Sequence, residues 1–309
     1  MSSRQRAELD AQLRQLPLDF GGDLAQQRPL MHQLSTSLPL PDDVSVTKSA
    51  LGSVPAAEIT VAGPGSRDVI LYFHGGAYAM GSALDAAGLA SGLAREARAR
   101  AVSVGYRLAP EHPYPAALDD ALAAYRALLE AGTAPAHIAL AGESAGAGLA
   151  AAALVAIRDA GLPRPGAAVL MSPWVDLTLS GRSITGKATA DPVVTAAGLR
   201  RRAAEYAGGA DVRAATISPL FADLADLPPL LIQAGTHEIL LDDAIRLAAS
   251  AATADVSVTL DITADVPHVF QGFASALDEG AQALARGGAF IQSHLAAHIA
   301  ATSGFGVTA

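Results

Sequence analysis

The sequence predicts an α/β fold in which a mostly parallel sheet carries helices on both faces. Two observations predict it. Short apolar runs recur through the middle of the chain, with segments of helical periodicity between them, and parallel strands joined by crossovers require that alternation. The chain also has 309 residues, 51% of them hydrophobic, which is enough for one large core within a single domain.

Leu9, Leu13 and Leu16 fall at helical spacing, which predicts a short amphipathic helix over 4–16 that ends at Pro17. A second helix is predicted over 23–38, with Leu24, Met31, Leu34 and Leu38 on one side. Pro39-Leu40-Pro41-Asp42-Asp43 then breaks the chain, so the first fifty residues read as an appendage lying on the rest. Strands are predicted at 57–62, 68–73, 101–105, 137–142, 167–171, 229–234 and 256–261. Helices are predicted at 84–99, 116–131, 145–160 and 242–254, with a C-terminal one at 274–298. Residues 178–215 show no strand pattern; they contain Asp191-Pro192 and a helix at about 195–207, and read as an insertion packed beside the N-terminal helices. Residues 302–309 read as a frayed tail.

Composition excludes several function classes. There are 21 Lys and Arg against 30 Asp and Glu, and the one basic run, Arg200-Arg201-Arg202, reads as a solvated helix face, so nucleic acid is not an expected partner. Without cysteine there is no disulfide framework, thiol nucleophile or thiolate metal site. The polar first residues lack the apolar core of a secretory signal, and Gly, Pro and charge interrupt every apolar stretch before membrane-spanning length, so a cytoplasmic protein is expected.

Four pieces carry chemistry. Gly142-Glu143-Ser144-Ala145-Gly146 has the G-x-S-x-G spacing between a predicted strand and a predicted helix, the context of a nucleophile elbow. Ser144 would then stand at a helix N-terminus, where the N–H of Ala145 and the helix dipole face a developing oxyanion. His74-Gly75-Gly76-Ala77 follows an early strand, where small residues let backbone N–H groups converge on a substrate oxygen. His74 itself reads as a structural histidine bonded to that loop. Asp265-Val266-Pro267-His268 follows the last predicted strand, which suits a general base reaching over the serine. Glu238 follows strand 229–234 and suits the acid that orients the base. Asp242 and Asp243 compete for that role, but they stand where the next helix starts and favour its dipole. The chain order is Ser144, Glu238, His268.

With these motifs, and with Tyr106-Arg107-Leu108-Ala109-Pro110-Glu111-His112-Pro113-Tyr114-Pro115-Ala116-Ala117-Leu118-Asp119-Asp120, the chain resembles the hormone-sensitive-lipase branch of the α/β-hydrolases, the bacterial family IV esterases. The resemblance implies an α/β-hydrolase fold with an eight-stranded, mostly parallel sheet. It implies a small helical cap made from residues 1–50 and the 178–215 segment, on a catalytic domain of 51–309. It places the oxyanion donors at the N–H groups of Gly75, Gly76 or Ala77, together with Ala145, and makes Glu111 a buried hydrogen-bonding acid that braces the site from below. Ala77 stands where the more usual loop has a third glycine, and Glu143 where aspartate is common.

The expected activity is hydrolysis of short-chain carboxylic esters through an acyl-enzyme on Ser144, with bulky-alcohol esters and lactones within scope and no cofactor or metal needed. An amide deacetylase on the same triad is the alternative; a non-catalytic small-molecule binder is disfavoured because His268 is present. Relatives of this kind dimerise through the edge strand near the C-terminus, which puts an expected homodimer contact at 256–261.

Overall fold

The computed structural model describes residues 2–37, 39–63 and 65–303, with side chains through Leu295. Leu38, expected on the second helix, and the expected tail from 304 onward lie outside the described residues.

Among the described residues, eight strands form one sheet: β1 (Val44–Leu51), β2 (Val54–Val61), β3 (Val69–Phe73), β4 (Arg100–Val104), β5 (Ile138–Glu143), β6 (Ala167–Met171), β7 (Leu230–His237) and β8 (Val258–Pro267), in the order β1-β2-β4-β3-β5-β6-β7-β8. β1 and β2 form an antiparallel hairpin, and β2 pairs antiparallel with β4. Every other pairing is parallel.

The crossovers are α3 (Ala87–Ala97), α4 (Ala116–Glu130), α5 (Ala145–Asp159) and α8 (Leu241–Thr253), and α9 (Asp278–Ser303) closes the chain. Side chains alternate across a strand. In β3, Val69, Leu71 and Phe73 therefore join α4 and α5 in one core, while Ile70 and Tyr72 join α3 and α9 in the other. β3, β5 and β6 are buried on both faces, which is why each reads as a continuous apolar run rather than an alternation.

β1 lies inside the segment expected to be a purely helical appendage, so the boundary at residue 50 is corrected: the sheet begins at Val44. Its sequence, VSVTKSAL, is mostly exposed at the sheet edge and carries no apolar run to announce a strand. β8 extends to Pro267, past the expected end at 261.

The N-terminal helices are α1 (Ser2–Leu13) and α2 (Leu24–Thr36). Leu9 and Leu13 are buried against Val266 and Phe270, while Leu16 is exposed. Between β6 and β7 lie the short α6 (Ser183–Gly186) and α7 (Ala196–Ala207). The fully buried Arg202 of α7 donates to the carbonyls of Phe20 and Gly22, and Arg201 donates to Gly21 O at 2.9 Å. Arg14, in the turn just after α1, reaches the carbonyls of Thr189 and Ala190 at 3.2 and 3.1 Å. The N-terminal helices and the 178–215 segment therefore pack as neighbours.

Candidate active site

Ser144 stands between β5 and α5 with φ 55° and ψ −122°, a turn that L-residues adopt only under strain. Its backbone is tied down on both sides: Ser144 N–H donates to Met171 O at 2.9 Å, and Trp174 N–H donates to Ser144 O at 3.1 Å. The turn needs α5 hard against β3. A Cβ at Gly146 would stand 2.0 Å from Phe73 O, so no larger residue fits there.

β7 and β8 deliver two further groups from their carboxyl ends. Glu238 directly follows β7 and His268 directly follows β8. His268 Nε2 lies 2.9 Å from Ser144 Oγ, and His268 Nδ1 lies 2.6 Å from Glu238 Oε2. All three side chains are buried or nearly so. Burial by itself would lower the His268 pKa; the hydrogen bond and charge of Glu238, with help from Asp191 and Glu143, outweigh it and hold the imidazole above its ordinary value. The other Glu238 oxygen accepts from Gly235 N–H and from Ser172 Oγ, the latter at 3.1 Å. Ser172 Oγ in turn accepts from Val269 N–H at 3.0 Å, so it bridges the acid loop and the histidine loop. Nothing in the run Met171-Ser172-Pro173 announces that bridge.

The competing acids go elsewhere. Asp242 accepts from Ser183 N–H at 3.1 Å. Asp243 is fully buried and accepts from the N–H groups of Val175 and Asp176, both at 2.9 Å.

The loop after β3 runs through Gly76, Ala77 and Tyr78 with φ of 109°, 54° and 61°. The structure corrects one expected donor. Gly75 N–H is already donated to Glu143 Oε1 at 2.7 Å and is not free for a substrate. Among the described residues no acceptor takes the N–H of Gly76, Ala77 or Ala145. Glu143 also accepts from Tyr72 OH, and burial pushes its carboxyl up to about 7. His74 Nδ1 lies 2.7 Å from Gly75 O, and its ring stacks on Tyr106 at 4.2 Å. Burial lowers the His74 pKa to about 4, so the ring is neutral and donates through Nδ1.

Glu111 requires a second correction. Its side chain is 53% exposed, not buried beneath the site. It clasps Arg28 of α2 through two bonds of 2.7 and 2.6 Å, and this ion pair drops its pKa to about 2. The same guanidinium donates to Ala79 O at 2.8 Å and Ala109 O at 3.0 Å. The 106–120 block does hold the glycine loop, but by other groups: Tyr106 OH donates to His74 O at 2.7 Å, and Ala109 N–H donates to Tyr78 O at 2.9 Å. Tyr78, Trp174 and Phe270, candidate pocket walls by residue type, are all buried, with Tyr78 stacked on Tyr206 at 3.8 Å.

A buried serine bonded to an imidazole, which is bonded to a carboxylate, suits proton-coupled attack on a carbonyl. Comparison with known proteins agrees with the fold and with ester hydrolysis. Residues 70–272 match the model of a family described by the alpha/beta hydrolase fold. An acetyl-hydrolase of Streptomyces hygroscopicus is 46% identical over 224 residues, 72% of this chain and 75% of that protein. The crystal structure of an esterase from the bacterial hormone-sensitive lipase family is similar with a TM-score of 0.92 at 42% identity, covering 96% of this chain and 99% of that one. The esterase EstE5, soaked with p-nitrophenyl butyrate, is similar with a TM-score of 0.90 at 40% identity, covering 94% and 99%. The chain belongs to the α/β-hydrolase family, in its bacterial hormone-sensitive-lipase branch, and is an ester hydrolase.

Proposed function

We propose that this enzyme is a serine carboxylesterase acting on short-chain acyl esters. The observation that carries the reading is the continuous relay from Glu238 through His268 to Ser144 Oγ, and the N–H groups of Gly76, Ala77 and Ala145, without an acceptor among the described residues, support it. Ser144 Oγ attacks the acyl carbon as His268 Nε2 takes its proton. The carbonyl oxygen becomes an oxyanion beside the N–H groups of Gly76, Ala77 and Ala145, which are in place before charge develops. Collapse breaks the bond to the alcohol oxygen, which leaves with the proton from His268. Water then attacks the acyl-enzyme, gives its proton to His268, and the second collapse returns that proton to Ser144 and releases the acid.

The acetyl-hydrolase relative, and the p-nitrophenyl butyrate soaked into EstE5, support short acyl chains. Hydrogen bonds between the connection from α1 to α2 (Arg14, Phe20, Gly21) and the 178–215 segment support reading the two together as a cap over the site. β8 is the sheet edge, with Leu260 and Ile262 exposed, which supports a homodimer joined through that strand.

The test is hydrolysis of p-nitrophenyl esters from acetate to laurate by wild type and Ser144→Ala. Activity that peaks on short chains and vanishes in the variant is expected. An inert wild type on every ester, with turnover of an acetanilide, would transfer the mechanism to amides.

A further inference from the structure

The residue after the catalytic acid is gripped at both ends by the segment between β6 and β7. Ile239 N–H donates to Asp191 Oδ2 at 2.9 Å, and Ile239 O accepts from Ser183 Oγ at 2.6 Å. Ser183 and Asp242 complete the clamp by exchanging hydrogen bonds of 3.1 and 2.9 Å between their side chains and backbone N–H groups. Asp191 is itself well anchored. It is 6% exposed, and its other oxygen accepts from Val193 and Val194 N–H at 2.9 and 2.8 Å. One carboxylate thus joins a turn of that segment to the loop that presents Glu238.

We propose that Asp191 is a positioning residue of the active site, setting where the Glu238 loop stands and adding a negative charge beside the Glu238–His268 pair. The inference rests on the triad proposed above. A carboxylate is the side chain suited to this place, because it offers two oxygens to three N–H donors and has none of its own to satisfy. An asparagine would turn its NH2 group toward one of those donors. The charge acts at a distance on both members of the pair and favours imidazolium over neutral imidazole at His268. Glu238 and Glu143 push His268 the same way, and Arg14, just after α1, is a cation that senses Asp191. The segment that covers the site would then also tune it, coupling cap packing to the acid–base pair.

The experiment compares pH profiles of kcat and kcat/KM on p-nitrophenyl butyrate for wild type, Asp191→Asn and Ser183→Ala. Asp191→Asn is expected to move the acid limb of kcat/KM down by roughly half a unit and to lower kcat roughly tenfold, with KM changing far less. Ser183→Ala keeps the charge and the Asp191 bond but removes the grip on the Ile239 carbonyl, so kcat should fall less than in Asp191→Asn, with the acid limb unmoved. A wild-type profile and kcat in Asp191→Asn, with only a lower melting temperature, would reduce Asp191 to an ordinary turn residue. If Asp191→Asn does not fold, the profiles are read on Asp191→Glu, which keeps the charge and displaces the bond to Ile239; a wild-type kcat there overturns the proposal. Loss of wild-type hydrolysis in Ser144→Ala stands or falls separately and tests the triad alone.

Discussion

The carboxylate of Glu143 holds the N–H of Gly75 at 2.7 Å, so the residue before Ser144 anchors the loop that faces it. The Gly75 carbonyl is held from the other side by His74 Nδ1 at 2.7 Å. With both ends of that residue pinned, the N–H groups of Gly76 and Ala77 are left free. On the proposed mechanism, Glu143→Ala lowers kcat by roughly 10–100-fold with little change in KM, because loss of a whole oxyanion donor costs on the order of 100–1,000-fold. Glu143→Gln should lose far less, since its oxygen can accept from Gly75 and its amide can donate to Tyr72. Steady-state kinetics check the ranking; equal losses in both variants would place the effect in the charge and not in the hydrogen bond.

The acid limb of activity should lie above the ordinary imidazole pKa. On the proposed mechanism His268 works as a base only when neutral, and Glu238 holds its pKa up, so activity is lost as pH falls through a raised value. Glu143, at about 7, titrates in the same range. The kcat/KM profile of Glu143→Gln separates the two: a limb that persists belongs to His268, and one that disappears belongs to Glu143.

The bridge from α2 to the glycine loop predicts unequal costs for its two partners. Arg28 is 32% exposed and Glu111 53%, so solvent screens the pair, and Glu111→Gln should cost under about 1 kcal/mol of stability. Arg28→Ala also strands the carbonyls of Ala79 and Ala109 and should cost more, about 1–3 kcal/mol. Urea unfolding of both variants measures the difference. Equal costs would show that the ion pair alone seats α2.

Asp243 predicts a pH-dependent stability. Burial pushes its carboxyl up to about 8, against the two backbone N–H groups it accepts from. From about pH 4, where an unfolded aspartate titrates, up to about 8, the native state keeps a proton that the unfolded chain has lost. Stability therefore falls as pH rises through this window. Asp243→Asn escapes the penalty, so its Tm should match wild type near pH 4 and exceed it by about 2–4 °C at pH 8. A difference that does not grow with pH would mean that Asp243 is ionised in the folded protein.

The amino-acid order alone determined the central strands and the chain order of the site. Val69–Phe73, Ile138–Glu143 and Ala167–Met171 are buried on both faces, and such burial demands unbroken apolar runs that are visible without any partner. That Ser144, Glu238 and His268 each follow a strand was legible, because a strand end is a local signal. Tertiary structure decided what no local pattern encodes. β1 is a strand only because β2 pairs with it, since its exposed edge selects no apolar side chains. Gly75 and Gly76 look alike in sequence, yet a carboxylate 68 residues later takes the N–H of one and leaves the other free. The family resemblance implied a buried Glu111, yet in the fold it is half-exposed and paired with Arg28, 83 residues earlier. Ser172 reaches Glu238 and Val269, and Asp191 reaches Ile239, only through hydrogen bonds across the fold. Burial and periodicity are averaged over many residues and survive in the sequence, whereas one hydrogen bond between distant segments depends on where the folded chain brings them together.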